Sequence, residues 1–169
     1  MGFDIYGINP SKEEIPNANY SYELESGIYF RNNVWDWHPL WDLVINLCGD
    51  VLEPQDARYG HSNDHWVINK SKSLTIARRL EDRIDDGFVD KYIQDRRNEL
   101  DKLPDIDCQV CGGTGYRREV PLAGPGELEC NGCNTTGKKR PYECNYGLSK
   151  KNVEDFATFC RNSGGFSIG

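Results

Sequence analysis

Cys108-Gln109-Val110-Cys111-Gly112-Gly113-Thr114-Gly115 and Cys130-Asn131-Gly132-Cys133-Asn134-Thr135-Thr136-Gly137 are two copies of one pattern. Each is a Cys-x-x-Cys pair with a glycine four residues after its second cysteine, and residues 112–129 separate the pairs. Four thiolates at this spacing suit one tetrahedral Zn²⁺, and a Cys₄ site is closed, with no position left for water. Disulfides or an iron–sulfur cluster are the competing readings of the same cysteines. Each pair predicts a tight knuckle, whose glycines permit the positive φ that such turns demand. Cys108, Cys111, Cys130 and Cys133 are therefore the expected ligands of one structural zinc.

The run Cys-x-x-Cys-x-Gly-x-Gly, complete at Cys108, Cys111, Gly113 and Gly115, resembles the cysteine-rich zinc repeat of DnaJ-type co-chaperones. The second copy departs from it at Thr135, where the repeat has its first glycine. Two repeats stand here where the DnaJ module has four, and the His-Pro-Asp signature of a J domain is missing, because Leu40 follows His38-Pro39. The resemblance spans about thirty residues and implies a zinc hairpin pair, not a co-chaperone. Most of the chain is also similar to a set of small phage and bacterial proteins. Met1–Pro10, Tyr29–Trp35, the paired cysteines and Gly164–Ile168 carry that second likeness, which brings no assigned activity. It implies a cytoplasmic accessory protein, phage-encoded and acting in the host cytoplasm.

Outside this module the composition is globular but lean. Hydrophobic residues make up 37% of the 169 and charged ones 28%, enough for one core plus a small satellite. No apolar run is long enough to span a membrane. Seven cysteines without a secretion-like leader point to metal and free thiols in a reducing compartment. The net charge is −7. That excludes a general nucleic-acid coat, which needs a basic footprint, and suits either plain solubility or a basic partner. The one basic cluster is Arg117, Arg118, Lys138, Lys139 and Arg140, a candidate nucleic-acid edge.

Along the chain, Phe3 and Ile5 alternate as in a short strand, and residues 11–27 read as a polar loop. Tyr29, Phe30, Trp35, Trp37 and Trp41 form the richest aromatic stretch. A helix of about ten residues is predicted over Leu40–Cys48, with Pro39 in its first turn and Gly49 as its cap. Residues 50–69 read as a connection with a brief strand at Trp66–Ile68. Ser73 is the expected cap of a helix carrying Ile76, Ala77, Leu80 and Ile84, which runs to Gly87. A further helix from Val89 to Leu103 is stopped by Pro104. The last helix, capped by Ser149 or Asn152, buries Val153, Phe156, Ala157 and Cys160, and Phe166–Ile168 forms a closing strand. The fold class is thus α+β: a small mixed domain with three to four helices, short strands and an inserted Cys₄ zinc hairpin module. Its parts are an aromatic-rich body over 1–104, the zinc double knuckle over 105–147, and a C-terminal helix and strand over 148–169 that pack back on the body.

Three further groups carry possible chemistry. Arg31, Asn32, Asn33, Trp35 and His38 either line a pocket in which a ring stacks on Trp, or are core anchors with Asn33 or Asp36 capping the helix. His61, Asn63, Asp64 and His65 offer a ligand contact, a metal pair or a general base beside a carboxylate, against a plain Asx turn. With His38 the two groups make one candidate ligand pocket. Cys48 and Cys160 read as buried hydrophobes, and Cys144 as a competing thiol. The leading expectation is a zinc-stabilised, non-enzymatic binding protein that engages a host or defence-system protein, as a counter-defence inhibitor would. A nucleotide-sequestering pocket protein is the alternative, and a hydrolase using His61, Asp64 and His65 a further one.

Overall fold

The computed structural model describes residues 2–120 and 122–169. It is mixed α+β, and it divides into two compact units: Met1–Asp95 with Tyr146–Gly169, and Arg96–Asn145. The first boundary lies inside a helix rather than at Pro104. In chain order the elements are β1 (Gly2–Gly7), α1 (Tyr20–Ser26), β2 (Tyr29–Asn33), α2 (Val34–Cys48), α3 (Pro54–Tyr59), β3 (Trp66–Ile68), α4 (Lys70–Asp85) and α5 (Phe88–Asp101). Then come the two-residue strands β4 (Ile106–Asp107), β5 (Tyr116–Arg117), β6 (Leu128–Glu129) and β7 (Lys138–Lys139). A 3₁₀ turn (Tyr142–Asn145), α6 (Lys150–Asn162) and β8 (Phe166–Ile168) complete the chain.

In the larger unit the sheet is antiparallel throughout, in the order β2-β1-β8-β3. The two ends of the chain meet in its middle, with Ile5 opposite Ile168 and Gly7 opposite Phe166. Alternation places Phe3, Ile5, Phe30, Phe166 and Ile168 on one buried face. Trp37, Leu40, Trp41 and Val44 of α2, Ile76 and Leu80 of α4, and Val153, Phe156 and Phe159 of α6 join the same core. Rings stack through its centre: Phe3 on Trp37 at 5.3 Å, Trp37 on Trp41 at 5.6 Å, and Phe156 edge-on to Trp37 at 5.4 Å. The indoles keep their polar ends satisfied, Trp37 donating to the Gly60 carbonyl at 2.8 Å and Trp41 to that of Ala57 at 3.2 Å. Gly60 admits this packing, since a Cβ there would lie 2.0 Å from the Trp41 ring.

Several elements differ from the sequence expectations. The helix predicted from Pro39 begins five residues earlier, because Asn33 Oδ1 accepts from the amides of Trp35 (2.9 Å) and Asp36 (3.0 Å). Pro39 therefore sits inside α2, its missing N–H tolerated in a helix held by buried indoles on either side. Asn69, not Ser73, caps α4. Ser73 is buried in the first turn and donates to the Cys160 carbonyl at 2.7 Å. Two short helices replace expected loops. α1 is capped by Asn19 and closed by Gly27 in the left-handed region, and α3 starts at Pro54. Among the described residues these bring the α-helices to six, against the three to four expected. Ser149, of the two candidates, caps α6.

The smaller unit is built of two ribbons, β4 with β7 and β5 with β6. Its one cluster of buried hydrophobic side chains, among the described residues, is the four cysteines. No described helix is long and apolar enough to cross a membrane.

Candidate functional site

Each Cys-x-x-Cys pair sits in a turn that leads into one of the ribbons. Gly115 (φ 83°) and Gly137 (φ 74°) occupy the left-handed region. From there their amides donate to Cys111 Sγ and Cys133 Sγ, each at 3.3 Å. The two knuckles are matched. A Cβ on Gly115 would meet the Thr135 carbonyl at 2.3 Å and one on Gly137 the Gly113 carbonyl at 2.2 Å, so only glycine lets the turns interlock. Thr135, where the first copy has Gly113, takes the same left-handed backbone at φ 64°.

The four sulfurs lie within 4.8 Å of one another and the cysteines are buried. Cys108 and Cys130 Sγ are 3.9 Å apart, and Cys111 and Cys133 Sγ 3.8 Å. A tetrahedral ion with metal–sulfur bonds of ~2.3 Å needs sulfurs about 3.8 Å apart, so the donor set fits a metal ion. Its electrostatics agree. Burial raises the Cys111 thiol, but the Gly115 amide, the Cys133 thiol and the Gly113 amide outweigh it and hold it at about 7. Burial and the adjacent Cys133 push Cys130 up to about 11. Four thiolates cannot share this space without a cation among them. Cys144 is outside the group, its thiol directed at the Leu100 carbonyl at 3.7 Å. Among the described residues no second group of three or more metal-ligating side chains is assembled.

The basic cluster is largely engaged within its own unit. Lys138 pairs with Asp107 at 2.6 Å, Arg117 donates to Asn131 at 3.1 Å and Arg118 to the Pro125 carbonyl at 3.0 Å. Arg140 clamps the Leu100 and Leu103 carbonyls at 2.7 and 2.6 Å. Around it the unit exposes large apolar side chains, foremost Val120 (82% exposed) and Leu122 (61%), then Leu128 and Val110.

In the larger unit, His38 Nδ1 lies 2.9 Å from His61 Nδ1, and His61 Nε2 lies 3.2 Å from Asp42 Oδ1. With Asp42 ionised, His61 donates through Nε2 and accepts through Nδ1, which fixes the proton on His38 Nδ1. Burial, then the charge of His61, lowers the pKa of His38. Asp42 is the member that sequence reasoning missed, and the carboxylate on His61 is this one rather than Asp64. Asp64 and His65 are exposed, His65 at φ 56°, and Asn63 donates to the Gly2 carbonyl at 3.4 Å. Asn33 is spent on its cap, and Asn32, 6% exposed, donates to Asn152 at 3.0 Å. Trp35 packs on Tyr146 at 5.2 Å. Arg31, Asn32 and Asn33 do line one cleft, of about 540 Å³, together with Tyr20, Glu23 and Tyr29. Trp35, His38, His61, Asn63 and Asp64 are not among its walls.

Compared with protein-family models, with curated proteins and with solved structures, the chain matches none. Fold and site by themselves define the class: a mixed α+β protein with a four-cysteine group able to hold a metal ion.

Proposed function

We propose that the chain is a zinc-stabilised, non-enzymatic binding protein, a phage-type accessory or counter-defence factor that engages a host protein through its cysteine unit. The observation that carries this reading is the contrast within that unit. Its one buried cluster, among the described residues, is the four closed-up cysteines, whereas its exterior displays Val120, Leu122, Leu128 and Val110. Zinc, bound by Cys108, Cys111, Cys130 and Cys133, supplies no open coordination position and so serves as a staple that holds loops in shape. Apolar side chains held out on a metal-rigidified scaffold are what a protein partner covers. The same side chains oppose the nucleic-acid reading, which the internal pairing of Arg117, Arg118, Lys138 and Arg140 weakens further.

The test is affinity capture from a bacterial lysate with the wild-type chain and with Val120→Glu/Leu122→Glu. A partner retained by the first and lost by the second, at equal zinc content and melting temperature, is the expected result. A partner set indifferent to the substitutions removes the reading.

A further inference from the structure

Residues 1–30 hold five carboxylates (Asp4, Glu13, Glu14, Glu23, Glu25) and one cation, Lys12, so that −4 of the chain's −7 lies in its first thirty residues. Part of this charge frames a cleft of about 410 Å³ in the larger unit, walled by Tyr6, Tyr29, Glu14, Glu23, Pro10 and Ile28. Tyr6 and Tyr29 are cross-strand partners on β1 and β2, with ring centroids 5.2 Å apart and a 38° tilt. Tyr29 is held from two sides. Its hydroxyl donates to Asp4, and Tyr20 abuts its ring edge-on at 6.2 Å. Tyr6 is half exposed and forms the open wall.

Among the described residues no cation lines this cleft, although Arg31 lines the neighbouring one with Glu23 and Tyr29. Lys12 lies over the ring of Tyr22 at 5.5 Å, and Arg31 is turned to Asp4 at 3.9 Å. Neither Glu14 nor Glu23 forms an ion pair among the described residues. Two carboxylates without ion-pair partners, lining one cleft with two tyrosines, are complementary to a flat cation that can stack and fork.

We infer that the Tyr6–Tyr29–Glu14–Glu23 cleft is a docking site for an arginine side chain carried on a basic segment of a partner protein. A guanidinium laid on the exposed face of Tyr6, at the open wall, can stack on a ring and fork to a carboxylate at once, which an ammonium cannot. The rim argues for a polypeptide rather than a free cation. Ile8 (45% exposed) and Ile15 (51%), each one residue from the cleft wall, would stay uncovered over a small molecule. The site belongs to the larger unit and stands whether or not the reading of the cysteine unit holds.

Calorimetric titration of the zinc-loaded full chain with hexa-arginine, hexa-lysine and argininamide at low salt tests it. Hexa-arginine is expected to bind tightest and argininamide far more weakly. Tyr6→Ala, which changes no charge, should weaken hexa-arginine about fivefold, and Glu14→Gln/Glu23→Gln at least as much. Glu99→Gln/Asp101→Asn, which removes two charges that do not line the cleft, should leave it within twofold. Unchanged binding by Tyr6→Ala, or an equal loss in the Glu99→Gln/Asp101→Asn variant, would show attraction to net charge alone and overturn the site. Argininamide binding as tightly as hexa-arginine would overturn the polypeptide occupant.

Discussion

His38 Nδ1 faces His61 Nδ1 across 2.9 Å, so only one of the two nitrogens can carry a proton. Burial and the charge of His61 depress the His38 pKa, with Asp42 opposing them in part. An unfolded chain takes up the His38 proton near pH ~6.5, and the folded chain does so only at lower pH. Between those values unfolding absorbs a proton, so stability is intact above pH ~6.5 and falls as the solution is acidified. Melting temperature measured from pH 7.5 to 5.0 should show this fall in the wild type and a flatter profile in His38→Gln. Parallel profiles would mean that the pair does not titrate with folding.

The cysteine unit has no second core to fall back on. Removal of any metal its cysteines hold, by a chelator, or Cys108→Ser, should therefore release amide protection over residues 106–139 while leaving the helices of the larger unit folded, since that unit has its own core. Hydrogen exchange read by mass spectrometry separates the two. Uniform loss across both units would show that they do not melt separately.

What the sequence disclosed, and what it hid, follows from the range of the interactions. The knuckles were legible because Cys-x-x-Cys spacing encodes its own local geometry. So were the short strands at Phe3–Ile5 and Phe166–Ile168, which pair with each other in the sheet. α1 and α3 were not, because six or seven residues are too few to display a period, and the residues that bound them (Asn19 with Gly27, and Glu53 with Pro54) read equally well as loop chemistry. Asp42 was within reach. It stands four residues after His38, on the same helix face, but only a helix already begun at Val34 makes that spacing meaningful. Ser73 misled because a buried serine and a capping serine look alike until its tertiary partner, the Cys160 carbonyl, is placed.

Asn33 starts α2 by accepting two backbone amides and also donates to Asp36 at 2.6 Å. Asn33→Ala should cost about 1 kcal/mol, which lowers the melting temperature by roughly 2–4 °C in a chain of this size. Asn33→Ser keeps a capping acceptor without setting a second carboxylate against Asp36, and should lose less. If ligand affinity rather than melting temperature changed, the cleft beside Asn33 would be a working pocket and the cap incidental.

Asp56 ties three elements together. Its carboxylate, 3% exposed, accepts from Lys72 Nζ of α4 at 2.6 Å, Trp66 Nε1 of β3 at 3.0 Å and the amide that opens α3 at 2.8 Å. Burial raises its pKa, and the donors, Lys72 first, outweigh burial and hold it below the ordinary carboxylate range. Lys72→Met leaves a buried charge with neutral donors only, at a cost of about 3 kcal/mol. A carboxylate with a depressed folded pKa contributes stability above pH ~3.9 and loses it as pH falls through the folded value. Without Lys72 that folded value rises, so the acid unfolding midpoint of Lys72→Met should move to higher pH. Chemical denaturation at pH 7 together with an acid titration measures both. A variant as stable as the wild type at pH 7, with the same acid midpoint, would mean that Trp66 and the Glu53 amide suffice to hold the carboxylate.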